Sequence, residues 1–197
     1  MPSIVSLSSL TRSEFDRQKK TFVCSNHDLE KYITKYAYGH QKEGLFQTYL
    51  YRDDNGDFLG FISFTVATIE REVADGNIDI PSSIMYSISA IKITRLCAFD
   101  NYCGQGIGTT LMQFSHILAV VQQKKIGCRA IIVDSKHEAI DFYKQFDFVE
   151  INQEEGSDTV FMIYDLLKPS ELLDIIPSMI QFCDEYNQSD LCEILRA

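Results

Sequence analysis

Three glycines at alternate positions are the strongest candidates for chemistry in this sequence. Gly104, Gly106 and Gly108 follow a strand-like segment and open a helix-like one. Glycine allows the backbone to turn with positive φ and leaves the main chain open to another molecule. The start of a helix carries unpaired N–H groups and a partial positive charge. Together these features predict an anion site, most often for phosphate, and hence a phosphorylated cofactor.

Two widespread phosphate motifs do not fit this run. The dinucleotide fingerprint is G-x-G-x-x-G with an acidic residue about 20 positions on, whereas the spacing here is G-x-G-x-G and the later region holds Lys124 and Lys125. A P-loop ends in Gly-Lys-Ser/Thr, which is absent here. Taken alone, the triplet fits a mobile turn about as well as a ligand loop, because glycines mostly mark turns.

The elements around the glycines must position them, and their order is informative. A long strand is predicted over residues 87–98, a helix over 107–123, a strand over 129–134, a helix over 138–146 and strands over 148–151 and 160–166. Upstream, strands over 47–51 and 58–69 are joined by the hairpin signal Asp-Asp-Asn-Gly at 53–56. The pattern predicts an α/β (α+β) fold.

Two segments next to these strands are predicted from local signals. An apolar helix stripe comprises Leu29, Tyr32, Ile33, Tyr36 and Ala37, and a capping box is predicted from Ser25 to Asp28. Residues 70–83, with one glycine and one proline, are predicted to be a loop. The front of the chain is therefore expected to supply a helix with one apolar face.

This order of elements resembles the GNAT family, the Gcn5-related N-acetyltransferases. Their pyrophosphate loop reads Q/R-x-x-G-x-G/A, and residues 103–108 match it except at Cys103. A later family segment reads A-x-x-F-Y-x-x-x-G-F, and residues 139–148 match it with Asp147 in place of glycine. Asp147 tolerates the left-handed conformation better than most residues, so it is expected to end the helix in that conformation.

The front half resembles one branch of that family more narrowly. Residues 22–33 look like the opening of the branch that includes toxins of toxin–antitoxin modules. Gly60-Phe61 is similar to its Gly-aromatic strand end, and residues 90–96 are similar to its strand before the pyrophosphate loop. Together, the family and branch resemblances cover roughly residues 15–165.

The resemblance implies a GNAT fold with a mixed, largely antiparallel sheet that is splayed at the acetyl-CoA site and flanked by helices. The long strand should then contain a bulge. The backbone of Leu96, Cys97 and Ala98 is expected along the pantetheine arm. The pyrophosphate is expected on the amides of Gln105, Gly106, Gly108 and Thr109, with hydroxyls of Thr109 and Thr110 as further donors or as ordinary residues of a helix start.

Tyr143 falls on the family tyrosine that approaches the sulfur of coenzyme A. A phenol with an ordinary pKa of about 10 can protonate the departing thiolate. From the residues alone, an aromatic that packs against the sheet is the plainer interpretation. No general base stands out: Glu70, Glu72, Asp134, Glu138 and His137 are candidates, and each residue type is usually found at the surface. Cys97 has no visible base partner for an acyl-enzyme role.

Composition and charge bound the class of protein. The 197 residues fit one domain, here predicted as 1–168, with an acidic helical extension over 169–197. Residues 1–149 carry 16 Lys and Arg against 17 Asp and Glu, whereas residues 150–197 carry 2 against 11. In the extension, Ser170 is predicted to cap a helix that contains Leu172, Leu173, Ile176 and Met179 and is bent or ended by Pro177, and residues 184–195 are a second candidate helix. The extension could dock, form a homodimer arm or act as a lid.

No apolar run is long enough to cross a membrane, and residues 1–11 lack the features of a signal peptide. The six cysteines show no C-x-x-C spacing and are therefore expected to be reduced. These observations predict a cytoplasmic protein without a membrane partner. No His/Cys cluster has metal-ligand spacing, so no metal is expected.

The resemblance thus implies direct transfer of acetyl from acetyl-CoA to a primary amine. One acceptor is the amino group of aminoacyl-tRNA, which the branch resemblance and the basic front half favour. A small amine such as a polyamine is the alternative that the acidic total charge favours. A non-catalytic CoA-binding or partner-binding protein of the same fold is the third. The basic residues are Arg12, Arg17, Lys19, Lys20, Lys31, Lys35, Lys92 and Arg95.

Overall fold

The computed structural model describes residues 1–151, 156–166 and 174–196. Its strands are β1 (Ser3–Ser6), β2 (Gln47–Arg52), β3 (Phe58–Ile69), β4 (Ile88–Ala98), β5 (Ala130–Lys136), β6 (Val149–Glu150) and β7 (Thr159–Asp165). Its α-helices are α1 (Arg12–Gln18), α2 (His27–Lys31), α3 (Ala37–Lys42), α4 (Arg71–Ala74), α5 (Ile107–Ile126), α6 (Ile140–Lys144), α7 (Ile176–Glu185) and α8 (Ser189–Arg196). A π-helical turn, Tyr32–Tyr36, joins α2 to α3.

The strands form one mixed sheet in the order β1-β2-β3-β4-β5-β7-β6. Of the strand pairs within the described ranges, only β4 and β5 run parallel. The predicted fold class is therefore confirmed: an α/β fold with a mixed, largely antiparallel sheet flanked by helices.

Helices cover both faces of the sheet. Consecutive residues of a strand point to opposite faces, and on β3 Phe61 belongs to the cluster formed with α1 and the turn after α2, whereas Ile62 belongs to the cluster formed with α5. Phe182 and Leu195, from α7 and α8, also belong to the Ile62 cluster. The amino-terminal helices and the carboxyl-terminal helices therefore lie on opposite faces.

β4 contains the predicted bulge and then leaves its parallel neighbour. Ser63 pairs with Arg95 and Phe64 with Ile93, so Thr94 is the extra residue in β4. Pairing with β5 ends at the Ile93–Val133 pair. Beyond that pair β4 continues along β3 and β5 continues along β7. The two parallel strands therefore separate at their carboxyl ends, which confirms both the bulge and the splay.

In the first half of the chain the structure differs from the sequence predictions at one helix cap, at two elements that were not predicted and in one loop. Helix α2 begins after Asn26, whose side chain accepts from the amides of Asp28 and Leu29, so Ser25 is not the cap. β1 and α1 were not predicted, although Thr11 and Glu14 form a reciprocal capping box at the start of α1. Residues 70–83 contain the short helix α4 in addition to loop.

The described part of the acidic extension docks on the domain. The amide of Ile4 donates to the carbonyl of Tyr186 at 3.4 Å, and Nε2 of Gln188 donates to the carbonyl of Ile4 at 2.6 Å. Lys124, near the end of α5, donates to the carbonyl of Ile194 at 3.1 Å. The extension is therefore packed against β1 and α5.

One sequence prediction about the extension is wrong, and others fall outside the described residues. Pro177 stands in the first turn of α7, where it needs no amide donor, and it neither bends nor ends the helix. The predicted cap Ser170, with Leu172 and Leu173, lies outside the described residues, as does the predicted boundary at 168/169. No described helix is long and apolar enough to cross a membrane.

Candidate functional site

The separation of β4 from β5 creates the opening in which the candidate site lies. Leu96, Cys97 and Ala98 occupy β4 beyond its last pair with β5, and each pairs with β3 on the other side. Their β5-facing side has no strand partner within the described residues. Backbone N–H and C=O groups on such an edge are free to bind an extended molecule that takes the place of a strand.

Gly60 lets this part of the sheet approach the helix that follows it. A Cβ at Gly60 would lie 2.5 Å from the carbonyl oxygen of Cys97 and 2.9 Å from the side chain of Ile107. No ordinary side chain is tolerated at such distances, so only glycine allows β3, β4 and the first turn of α5 to meet. The Gly-aromatic pair at 60–61 is therefore explained by packing beneath the opening.

The glycine loop leads from β4 into α5 and leaves the start of that helix unsatisfied. Gly104 and Gly106 have φ of 76° and 80°, and a Cβ added to either would contact nothing within 4 Å. Gly106 caps α5, no side chain caps the helix, and the first turn holds no acidic residue. The partial positive charge of a 20-residue helix is thus directed into open space, which is the arrangement that binds phosphate.

The hydrogen bonds show which amides are available there. Thr110 N–H donates to the carbonyl of Gly106 at 3.0 Å and begins the helical ladder. The amides of Gly106, Ile107, Gly108 and Thr109 precede it and have no backbone acceptor in the described chain. The amide of Gln105, which the sequence placed in the same group, donates to the carbonyl of Tyr102 at 3.3 Å. The sequence analysis did not name Ile107, whose side chain is buried in the core while its amide lies in this group.

Gly108 brings the glycine loop and Tyr143 together. A Cβ at Gly108 would lie 3.1 Å from the ring of Phe142, so the ring packs directly on the first turn of α5. α5 follows the carboxyl end of β4 and α6 follows that of β5. The free amides and the neighbour of Phe142, Tyr143, therefore stand at the same edge of the sheet, on either side of the opening.

Tyr143 is buried, yet its hydroxyl is not sealed. The ring packs on Phe142 at 5.3 Å and Phe148 at 5.5 Å between centroids. Burial raises the pKa of Tyr143. No described residue forms a hydrogen bond with the hydroxyl oxygen of Tyr143, and that oxygen is not fully buried. It therefore reaches solvent-accessible space. Asp147, three residues after α6, has φ of 62°, as its tolerance of the left-handed conformation predicts, and its amide donates to the carbonyl of Lys144.

The thiols near the opening differ in their reactivity. Cys97 Sγ donates to Cys24 Sγ at 2.9 Å, and this hydrogen bond and burial raise the pKa of Cys97. A protonated, buried thiol is a poor nucleophile, so the side chain of Cys97 packs while its backbone borders the opening. Cys103, in the glycine loop, is the exposed cysteine of the described chain.

The candidate bases are scattered. Glu70 and Glu72 follow β3 at the Ile69–Ile88 end of its pairing with β4, the end opposite the glycine loop, so they do not border the opening. Asp134 lies one residue past the last β4–β5 pair and forms an ion pair with Lys92. His137 approaches the carbonyl of Ser157 through Nε2 at 3.2 Å. Of the four candidate carboxylates, Asp134 and Glu138 lie at the end of the sheet where the glycine loop begins.

Sequence reasoning missed the contacts that hold the end of β4. Asp100 accepts from the amide and the hydroxyl of Ser25, both at 2.8 Å, and its own amide donates to the carbonyl of Val23 at 2.9 Å. These bonds join the loop before α2 to the loop that begins the glycine run. The only sequence signal for them is an Asp immediately after the strand and a Ser before the helix.

In this chain a strand that splays at a bulge leads into a glycine loop and a helix whose start is uncapped. Residues 45–150 match the family described as an acetyltransferase (GNAT) domain, which is more than half of the chain. The chain therefore belongs to the GNAT acetyltransferase family, and the expected N-acetyltransferase class is confirmed.

Solved structures share this fold at low sequence identity. A structure described as a bacterial toxin is 18% identical, with 90% of this chain and 97% of that chain covered and a TM-score of 0.74. AtaT in complex with acetyl-methionyl-tRNAfMet is 17% identical, with 89% and 99% covered and a TM-score of 0.69. A mutant AtaT toxin bound to the C-terminus of the antitoxin AtaR and to acetyl-CoA is 18% identical, with 84% and 94% covered and a TM-score of 0.64.

Proposed function

We propose that this protein transfers the acetyl group of acetyl-CoA to the amino group of an aminoacyl-tRNA. The observation that carries the cofactor assignment is the uncapped start of α5, with Gly104 and Gly106 open above it, at the edge of the opening between β4 and β5. The proposed pyrophosphate donors are the amides of Gly106, Ile107, Gly108 and Thr109. The backbone of Leu96, Cys97 and Ala98 would border the pantetheine arm.

Acetyl-CoA supplies an activated acyl thioester when it is bound. The acceptor amine attacks the thioester carbonyl, so a C–N bond forms and the C–S bond breaks. The phenol of Tyr143 donates a proton to the sulfur that leaves, and burial keeps that proton on Tyr143 throughout the neutral range. The surplus proton of the amine passes to solvent or to a carboxylate at the same end of the sheet, where Asp134 and Glu138 lie, and solvent returns a proton to Tyr143 before the next turnover.

The charge distribution supports RNA as the acceptor. The acidic helices α7 and α8 pack on the α5 face of the sheet. Lys31 and Lys35 belong to the helical segment on the opposite face, and Arg95 lies against Tyr32 of that segment. The acidic extension is thus kept away from these cations, and it does not oppose a polyanion there. A likeness in fold to AtaT, described in complex with acetyl-methionyl-tRNAfMet, adds support.

The small-amine alternative rests on the net charge of −10. Most of that charge belongs to residues 150–197, and the candidate carboxylates Glu70 and Glu72 lie at the far end of β4 from the glycine loop. Arg95, which directly precedes Leu96 at the opening, would repel a cationic polyamine. The acidic total therefore gives little support to a cationic substrate at this site.

Acetyl transfer should be assayed against charged tRNA and spermidine under the same conditions. We expect transfer to the charged tRNA, and the rate should fall steeply with added salt because phosphate contacts release counterions. The double variant Lys31→Glu with Lys35→Glu should slow it and leave acetyl-CoA binding unchanged. Efficient turnover of spermidine, with no transfer to charged tRNA at low salt, would refute the proposal.

Acetyl-CoA should protect Cys103 from alkylation. Its thiol is exposed at the first position of the glycine loop, whereas Cys97 and Cys128 are buried and burial helps raise the pKa of each. Iodoacetamide at neutral pH should therefore label Cys103 first, because the thiolate is the reactive form. Peptide mass spectrometry should show slower labelling of Cys103 with saturating acetyl-CoA. An unchanged rate would place the cofactor elsewhere.

A further inference from the structure

Four aromatic side chains form a continuous strip over the π-helical turn, α3 and the loop before β2. The strip consists of Tyr32, Tyr36, His40 and Phe46. His40 lies in its middle, with ring centroids 6.0 Å from Tyr32, 5.8 Å from Tyr36 and 5.5 Å from Phe46. The rings of Tyr36 and His40 are nearly parallel, at 15°. They are thus stacked with a lateral offset, as aromatic pairs prefer.

Tyr36 is exposed where the sequence predicts a buried residue. Its position in the apolar stripe placed it in the core with Tyr32 and Ile33, which are buried, but 44% of Tyr36 is exposed. The cause is the π-helical turn Tyr32–Tyr36, whose wider i→i+5 geometry moves the residue off the buried face. Single π-helical turns are rare and are frequent at functional sites.

The strip begins at the opening described above. The guanidinium of Arg95 lies 5.3 Å from the ring centroid of Tyr32. Arg95 directly precedes Leu96, the first of the three residues proposed to border the acyl donor. Tyr32 also stacks on Phe61, the β3 partner of Cys97. From this anchored end the strip runs outward through His40 to the exposed Tyr36.

The chemistry of the strip suits an unpaired nucleotide. RNA-binding proteins stack splayed bases on tyrosine, phenylalanine or histidine rings and hold the backbone with lysine and arginine. Lys31 Nζ lies 5.9 Å from the Tyr36 ring centroid, and Arg95 stands at the inner end.

We propose that the Tyr36–His40 stack receives an unpaired base next to the aminoacylated end of the acceptor RNA. The inference rests on the proposed function and adds to it the residues that hold the substrate. The charged end enters the opening past Arg95, and the nucleotide behind it stacks on Tyr36. Tyr36 is a substrate-positioning residue and takes no part in the bond changes.

Kinetics of Tyr36→Leu test this role. Loss of one base–aromatic stack should raise the KM for aminoacyl-tRNA roughly 5- to 100-fold. The KM for acetyl-CoA should stay unchanged, which also reports an intact fold. Tyr36→Phe retains the ring and should behave as the wild type. Tyr86→Leu is a matched control, because Tyr86 is 80% exposed and precedes β4 at the end away from the glycine loop.

A fluorescent base measures stacking without any transfer reaction. The protein has no tryptophan, so 2-aminopurine or pyrrolocytosine can be read without interference. Each would replace one unpaired 3′ nucleotide of an uncharged tRNA. At one position, wild type and Tyr36→Phe should quench the probe, and Tyr36→Leu should not.

Equal quenching by Tyr36→Leu, or no quenching by the wild type at any position, would overturn the proposal, as would an unchanged KM for aminoacyl-tRNA. Failure of the proposed function gives a different result. In that case the wild type would not acetylate charged tRNA, while the quenching measurement would still show whether Tyr36 binds a base.

Discussion

Tyr143→Phe is expected to lower turnover by about 10²- to 10⁴-fold, the usual contribution of a general acid. The substitution removes one oxygen and keeps the ring that packs between Phe142 and Phe148. That oxygen has no hydrogen-bond partner in the described chain, so its loss should leave no buried polar group unpaired. The affinity for acetyl-CoA and the thermal stability should therefore remain close to those of the wild type.

Single-turnover kinetics should be used, because they separate the chemical step from product release. Tyr164→Phe is the matched control: burial also raises the pKa of Tyr164, and its ring packs on Phe148 at 5.6 Å and on His116 at 4.4 Å, along the middle of α5. This control should keep the wild-type rate. A fall of less than about threefold for Tyr143→Phe would assign Tyr143 to packing alone.

The pH profile adds a second test of the same role. Because burial raises the pKa of Tyr143 above its ordinary value of about 10, the phenol keeps its proton across the neutral range. The rate should therefore not fall between pH 7 and about 9 through loss of that proton. An increase over this range would report deprotonation of the attacking amine or of the base that accepts its proton.

Patterns with a direct backbone cause were readable from the sequence. Two of the three alternating glycines, Gly104 and Gly106, have the expected positive φ and open space, whereas Gly108 packs against Phe142. Asp147 was expected in the left-handed conformation at the end of a helix, and it adopts that conformation. The bulge in β4 and the splay after it came from the family resemblance, since one extra residue in a strand leaves no signature in hydrophobic alternation.

Features that depend on contacts between distant segments were not readable. The apolar periodicity from Leu29 to Ala37 predicted a buried Tyr36, but a π-helical turn changes the register of the helix without changing the apolar pattern. Glu70 and Glu72 were candidate bases by residue type alone, and only the antiparallel register of β3 and β4 shows that they lie at the end away from the glycine loop. The docking of α7 and α8 depends on bonds from Gln188 and Lys124, which carry no sequence signal.

The arrangement of the candidate site also depends on contacts between distant segments. The sequence identified Tyr143 and the glycine loop separately, each from its own motif. Their proximity depends on the contact of Phe142 with Gly108, two residues 34 positions apart in the chain. Such a contact follows from the packing of α6 against α5, and no local propensity encodes it. The roles of these residues therefore remain predictions that kinetics must test.

Gly106→Val is expected to reduce the affinity for acetyl-CoA by about 10²-fold or more. The φ of 80° at Gly106 is costly for a branched residue, so the loop and its amides should turn away from their present direction. Each lost hydrogen bond from an amide to a charged phosphate costs about 1.5–3 kcal/mol. The new side chain would also occupy space that is open within the protein and that we assign to the pyrophosphate.

Gly76→Val separates this effect from backbone strain. Gly76 has φ of 79°, an added Cβ there also contacts nothing within 4 Å, and it lies between α4 and β4 at the opposite end of the sheet. Both variants should unfold at lower temperature than the wild type, because each carries similar strain. In calorimetric titrations with acetyl-CoA, Gly76→Val should bind normally and Gly106→Val should not. If the two variants bind acetyl-CoA equally well, the glycine loop does not hold the pyrophosphate, and the cofactor site must be sought elsewhere.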